Sequence, residues 1–126
     1  MPAYPKFSVA FEISGTDADR MQAFELYQKA FGAKKVSEFN PPGSNSENLH
    51  IVMEIGGSVI LLHPSKEKRV GGAVGCQVYF DSEASLQSAY EVLRSDGETE
   101  APASWPHALL SVLVTDRYGV NWWLHT

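Results

Sequence analysis

The stretch Val112-Leu-Val-Thr-Asp-Arg-Tyr-Gly-Val-Asn-Trp-Trp-Leu-His-Thr126 decides how the rest of the chain is interpreted. It predicts two strands joined by a tight turn, in which Gly119 supplies the positive φ that such turns often need. Side chains alternate along a strand, so Asn121, Trp123 and His125 lie on one face of the outgoing strand. The residues between them point the other way, toward a core. The stretch therefore predicts a closing hairpin whose reverse face carries aromatic rings and polar tips.

The first half of the chain predicts a strand, a helix, a short strand and a hairpin. Residues 7–13 alternate, with Phe7 opening an apolar face, and residues 34–39 form a second strand candidate. Two strands at 49–55 and 58–63 flank Gly56-Gly57, a strong hairpin signal. The helix ends at Gly32, and its apolar residues recur at helical spacing: Met21, Phe24, Tyr27, Ala30 and Phe31.

The second half repeats this order. A strand at 74–80 precedes a helix that should stop at Gly97, and residues 98–103 form a weak strand before the closing hairpin. The apolar face of that helix is formed by Leu86, Ala89, Tyr90 and Leu93. Both hairpins end in Leu-His, at His63 and at His125, after tails of equal length. We therefore expect one α+β domain, 1–126, made of two similar modules at about 5–65 and 72–126.

The composition excludes several classes of protein. A net charge of −5 over 126 residues, without a basic patch, argues against nucleic acid or an anionic membrane as a partner. The single cysteine, Cys76, excludes an internal disulfide framework. No apolar run approaches the roughly 18 residues of a spanning helix. We expect a soluble cytoplasmic protein.

Three segments resemble the vicinal-oxygen-chelate superfamily of glyoxalases, bleomycin-resistance proteins and dioxygenases, and within it the PhnB-like branch. They are the helix at 23–33, which ends in Phe-Gly-Ala, the hairpin at 50–62 with Ile-Gly-Gly-Ser-Val at its turn, and Trp105 followed by Thr-Asp-Arg-Tyr-Gly-Val-Asn-Trp at 115–122. The resemblance implies a glyoxalase-like fold, with two tandem βαβββ modules forming a cup-shaped mixed sheet and helices outside. It also implies a homodimer in which a second chain can complete the pocket.

The resemblance further implies a metal position, to which the first and last strands of each module contribute one ligand each. Carried onto this chain, the four positions fall at Ser8, Leu61, Gly75 and Trp123. Hydrocarbon and indole side chains cannot hold an ion, and glycine has no side chain to offer. We therefore expect no metal cofactor at this position. A shifted divalent-metal site remains an alternative, built from side chains of the same inward parity: Glu12, His63, Gln77 and His125.

Without a metal, the expected site is a small-molecule pocket with a few polar groups on an apolar and aromatic wall. The ligand-binding residues that we predict are Ser8, Glu12, Leu61, His63, Gln77, Tyr79, Asn121, Trp123 and His125. Trp123 could stack on a planar ligand, and Glu12 could bind a cation or act as a general base.

Three hypotheses follow, and the sequence does not decide whether a reaction is catalysed. The first is a protein that binds a small molecule without metal. The second is a metal-dependent lyase, isomerase or dioxygenase that uses Glu12, His63 and His125. The third is a non-catalytic dimeric domain.

Overall fold

The computed structural model describes residues 7–41, 47–70, 72–99, 103–105 and 108–126. Each half contains a strand, a helix, further short strand structure and a hairpin, as predicted. In the predicted strand at 98–103, residues 100–102 lie outside the described part of the chain. The elements in chain order are β1 (Val9–Ser14), α1 (Asp17–Phe31), β2 (Lys34–Phe39), β3 (His50–Ile55), β4 (Ser58–Ser65), β5 (Cys76–Tyr79), α2 (Glu83–Leu93), β6 (Glu98–Thr99), β7 (Ala103–Trp105), β8 (Ala108–Thr115) and β9 (Asn121–His125).

The strands form two mixed sheets with the same connectivity. The first has the order β1-β4-β3-β2 and the second the order β5-β9-β8-β6, with β7 also paired to β8. In each sheet the first strand of the module pairs in parallel with the last, β1 with β4 and β5 with β9, while the other pairs are antiparallel. Neither sheet closes into a barrel. The α+β prediction with two βαβββ modules is confirmed.

Helix α1 begins and ends where the sequence indicated, and four of its five predicted apolar residues lie in or against the core, with Met21 as the exception. Thr16 and Asp19 form a capping box, and Gly32 adopts φ 69° at the other end. Met21 is 46% exposed, whereas Arg20 is fully buried. The Arg20 guanidinium donates to the backbone oxygens of Ile13 and Gly15, both 3.2 Å away, so it occupies a core position that hydrophobic spacing assigned to its neighbour.

Helix α2 has the predicted apolar face but ends earlier than expected. Ser82 caps its N-terminus, and the helix ends at Leu93 rather than near Gly97. Asp96, with φ 56°, supplies the left-handed residue beyond it. Gly97 has a different role, because a Cβ at this position would collide with the carbonyl oxygen of Thr115 in β8.

A single core joins the inner faces of both sheets to both helices. Trp122 in β9 is 1% exposed and contacts three rings of the first half: its centroid lies 5.6 Å from Phe11, 5.4 Å from Tyr27 and 4.6 Å from Phe31. The prediction that Trp122 points to the core is confirmed. Phe7 is 91% exposed, so its assignment to the apolar face was wrong; β1 begins only at Val9.

The shared core determines the direction of the two remaining sheet faces. Helix α1 packs against α2 and against the first sheet, and α2 packs against β8 and β9. Because both inner faces cover this core, the opposite faces of the two sheets point away from it. Among the helices that the structure describes, none is long and apolar enough to cross a membrane.

Candidate functional site

The outer face of the first sheet carries a row of four polar and aromatic side chains. Glu12 in β1 lies beside His63 in β4, and Phe39 in β2 lies beside His50 in β3. The two imidazoles meet edge to face with their centroids 4.8 Å apart, and Phe39 stacks on His50 at 4.9 Å. The row therefore crosses all four strands. We call the exposed surface of Ala10, Glu12, Leu61 and His63 the first-sheet face.

Backbone carbonyls determine the tautomers of both histidines in this row. The Nδ1 atom of His50 is 2.9 Å from the carbonyl oxygen of Asn48, and that of His63 is 2.6 Å from the carbonyl oxygen of Pro64. A carbonyl can only accept a hydrogen bond, so each Nδ1 carries the hydrogen. In the neutral ring Nε2 is then an acceptor. His63 is exposed and can offer this atom to a ligand, whereas His50 is 7% exposed.

Glu12 also pairs with the segment that connects the two halves. Its carboxylate lies 3.0 Å from Nε of Arg69, whose side chain is largely exposed, while that of Glu12 is 42% exposed. This ion pair borders a concavity of about 340 Å³ between β1 and the turn that precedes β9. The remaining lining residues are Ala10, Val70, Val74, Tyr118, Gly119 and Val120. The concavity thus combines one ion pair with a mostly apolar wall.

The outer face of the second sheet is aromatic. Gln77 in β5 lies beside Trp123 in β9, and Tyr79 lies beside His125. The Tyr79 ring stacks on His125 at 5.0 Å, and the Trp123 ring lies 4.5 Å from His125. We call the surface formed by these four residues and Asn121 the second-sheet face. His125 is 1% exposed, so Tyr79 and Trp123 cover it.

A second concavity, of about 480 Å³, adjoins the second-sheet face. Asn121 lines it, and the Asn121 amide nitrogen donates to the carbonyl oxygen of Val74 at 3.0 Å, which holds the segment before β5 in place. The other lining residues are Gly72, Ala73, Val74, Gly75, Glu98, Thr99, Leu113, Val114 and Thr115.

Beneath these faces, a buried carboxylate links the two halves. Asp116 is 2% exposed and accepts hydrogen bonds from the Tyr27 hydroxyl at 2.7 Å and from Trp122 Nε1 at 2.9 Å. Burial, and then the adjacent Asp116 carboxylate, raises the pKa of Tyr27 well above 10.0. Our sequence reasoning treated Asp116 only as a turn residue. Its position in a turn gave no sign of a partner 89 residues away.

The predicted site residues divide between the two faces. Glu12, Leu61 and His63 share the first-sheet face, and Ser8, which is exposed, directly precedes β1. The other five share the second-sheet face: Gln77, Tyr79, Asn121, Trp123 and His125. Glu12 and Asn121 line different concavities. The predicted residues therefore lie on two separate sheet faces, and sequence reasoning missed Arg69 and the Phe39–His50 stack beside the first of them.

The residues at the superfamily's metal position do not fit a metal ion. Leu61 and Trp123 have no atom that ligates a divalent cation, and Gly75 has no side chain. In the ranges that the structure describes, no three His, Cys, Asp or Glu side chains are grouped so that they could hold an ion.

Two βαβββ modules, joined through one core and each presenting an open sheet face, define the glyoxalase-like fold of the vicinal-oxygen-chelate superfamily. The structure is similar to that of a PhnB protein from Bacillus cereus, with a TM-score of 0.78 and 18% identity over 96% of this chain and 98% of that chain. It is also similar to protein PA1353 from Pseudomonas aeruginosa, with a TM-score of 0.76 and 15% identity over 95% of this chain and 97% of that chain.

A further similar structure is a variant of the fosfomycin resistance protein FosX from Listeria monocytogenes, in complex with Mn(II) and 1S,2S-dihydroxypropylphosphonic acid. Its TM-score is 0.68, with 14% identity over 98% of this chain and 93% of that chain. No protein-family model matches the sequence, and no curated protein sequence matches it significantly. The resemblance to the superfamily is thus confirmed at the level of the fold.

Proposed function

We propose that this protein binds a small organic molecule against the outer faces of its sheets, without a metal ion at the superfamily's position. The observation that carries this proposal is the exposure of large rings on a sheet face. Tyr79 is 67% exposed and Trp123 is 37% exposed, and Leu113 on the adjacent strand is 42% exposed. Exposed apolar surface of this kind, beside polar groups, is typical of a binding site.

A second copy of the chain would complete the pocket. Within one chain both faces point away from the shared core, so a ligand that touches both faces needs the first-sheet face of one copy and the second-sheet face of another. A twofold axis would create two such pockets at once, because each copy carries both faces. The proposed unit is therefore a homodimer with composite pockets.

The similar structures agree with a ligand of modest size. The FosX structure from Listeria monocytogenes holds a small phosphonic acid, so this fold can accommodate such a molecule. At the positions to which the superfamily resemblance assigns metal ligands, this chain has Leu61 and Trp123, and this favours binding or sequestration over metal-assisted chemistry.

The metal-dependent alternative has one observation in its favour and one against it. Glu12 and His63 are direct neighbours on paired strands, as the shifted site requires. His125 belongs to the other sheet and lies beneath Tyr79 and Trp123. Metal analysis of protein purified without a chelator separates the two hypotheses. Stoichiometric Zn, Ni, Mn or Fe that is lost in both Glu12→Ala and His63→Ala would favour the metal-dependent alternative.

Sedimentation equilibrium and a thermal-shift screen test the main proposal. We expect a dimer, and we expect at least one compound class to stabilise it; a ligand at a hundredfold excess over its Kd adds about 2.7 kcal/mol. The stabilisation should disappear in Trp123→Ala and persist in Met21→Ala, which removes an exposed apolar side chain from α1. A dimer that no compound stabilises would instead support a non-catalytic dimeric domain.

A further inference from the structure

The second-sheet face has already used most of its polar hydrogens within the protein. Trp123 Nε1 donates to Ser111 Oγ at 2.7 Å, and the Tyr79 hydroxyl donates to Gln77 Oε1 at 3.2 Å. The Asn121 amide donates to the carbonyl oxygen of Val74 at 3.0 Å. Of the side chains that define this face, the Gln77 amide remains as a donor toward a ligand. The face also carries no lysine or arginine, and it is therefore poorly suited to an anion such as a phosphonate.

The first-sheet face, in contrast, offers hydrogen-bond acceptors. The bond from Nδ1 of His63 to the Pro64 carbonyl leaves Nε2 as an exposed acceptor, and Glu12 on the neighbouring strand adds a carboxylate. Arg69 balances this carboxylate, but its side chain is 72% exposed. Exposed ion pairs contribute little stability, so a cationic ligand can replace Arg69 at modest cost.

The aromatic rings of the second-sheet face attract cations through their π electrons. Tyr79 and Trp123 both pack against the buried His125 ring and are themselves exposed. Tryptophan and tyrosine are the two side chains that bind cations best by this interaction. The net charge of −5 adds a long-range attraction for positive ligands.

We propose that the ligand is a planar organic cation with N–H donors, such as a protonated heteroaromatic amine. Its ring stacks on Trp123 and Tyr79, and its N–H groups donate to Glu12 and to Nε2 of His63. This assignment rests on the proposed composite pocket, in which one copy supplies the rings and the other supplies the acceptors.

Calorimetric titration at neutral pH with three tricyclic probes tests the assignment. Proflavine is cationic and carries amino groups, acridine is a neutral ring of the same shape, and 9-anthracenecarboxylate is the matched anion. We expect saturable binding of proflavine, about tenfold weaker binding of acridine, and no measurable binding of the carboxylate.

Two variants assign the contacts. Trp123→Leu keeps an apolar side chain but removes the ring, and should weaken proflavine about tenfold. Glu12→Gln should weaken proflavine and leave acridine unchanged, because only the cation uses the negative charge. Glu91→Gln is the matched control: Glu91 is an exposed carboxylate on α2, paired with Arg94 at 3.3 Å, and its loss should leave both affinities unchanged.

Equal affinity for proflavine and 9-anthracenecarboxylate would overturn the assignment, as would equal effects of Glu12→Gln and Glu91→Gln. The assignment and the pocket can fail separately. If neutral or anionic compounds bind the dimer in a Trp123-dependent way and proflavine does not, the proposal of a composite pocket is retained and the proposal of a cationic ligand is rejected. If no compound of any class binds, both proposals fail.

Discussion

At the scale of the residue, the Asp116 carboxylate joins three parts of the molecule. Its oxygens accept hydrogen bonds from the side chains of Tyr27 and Trp122 and from the backbone N–H groups of Tyr118 and Val120. Burying a carboxylate is costly unless its lone pairs are satisfied, and these four bonds satisfy them. Asp116 therefore stabilises the turn before β9 and also attaches that turn to α1 of the other half.

Replacing Tyr27 by phenylalanine removes one of these bonds and makes stability less sensitive to alkaline pH. The pKa of Tyr27 is raised, so the folded state holds this proton more tightly than the unfolded chain does. Its contribution to stability is complete below the ordinary value of 10.0 and is lost as pH rises toward the folded-state pKa. We expect Tyr27→Phe to cost about 1–2 kcal/mol near neutral pH and to flatten the decline of stability above pH 10.

Urea unfolding between neutral and alkaline pH measures both effects. Tyr118→Phe provides the comparison, because burial also raises the pKa of Tyr118, but its side chain is only partly buried. It should therefore remove a smaller part of the alkaline decline than Tyr27→Phe does. If the wild-type and Tyr27→Phe stabilities decline in parallel above pH 10, the hydroxyl is not held as the structure indicates.

At the scale of the element, the turn between β8 and β9 supports the segment that joins the two halves. Gly119 adopts φ 91°, and a Cβ there would also collide with the carbonyl oxygen of Arg69. The turn and the connecting segment are thus in close contact, beside the concavity that Glu12 and Arg69 border. The glycine serves both the turn and this close approach.

Gly119→Ala should therefore lower the free energy of unfolding by more than the strain of a positive φ alone would. Gly57 in the first hairpin is the matched control: it has φ 86°, and a Cβ there would meet nothing within 4 Å. We expect Gly57→Ala to cost about 1 kcal/mol and Gly119→Ala about 2–4 kcal/mol, measured by urea unfolding. Equal losses of unfolding free energy in the two variants would show that the connecting segment can shift away from the added methyl group and does not depend on this contact.

The elements themselves could be predicted because their signals are local. Alternation, capping residues and the glycines of two hairpins are read within about ten residues, and they placed both helices and most strands. Local signals failed at residues whose burial or identity depends on a partner that is distant in sequence. Arg20 is buried because backbone oxygens at Ile13 and Glu47 receive its guanidinium, and Gly97 is required by the nearness of Thr115. The spacing of apolar residues along the chain does not indicate such contacts.

At the scale of the whole molecule, strand parity predicted which side chains leave the core but not how the two halves are arranged. Trp122 and Trp123 point in opposite directions, as alternation requires. The prediction that the site residues of both halves would line one cup depended on the packing of the modules. That packing is set by contacts such as Trp122 with Phe31, between residues far apart in sequence. Periodicity within a strand cannot reveal them.

Because the two halves share one core, we expect them to unfold together in a single transition. All three tryptophans, Trp105, Trp122 and Trp123, belong to the second half, so every tryptophan probe lies in that half. Ile13 in the first half is fully buried, and Ile13→Ala should cost about 2–5 kcal/mol. Because Trp122 packs on first-half rings, this loss should lower the urea midpoint of tryptophan fluorescence as much as that of far-ultraviolet circular dichroism.

The matching substitution in the second half is Leu93→Ala, at another fully buried position, and it should lower both midpoints in the same way. Independent modules would behave differently. Ile13→Ala would then leave the fluorescence transition in place and split the circular dichroism transition in two. A composite pocket needs its two faces held in fixed directions, and the shared core is what holds them. A split transition would therefore remove the structural basis of the proposed site as well as that of cooperative unfolding.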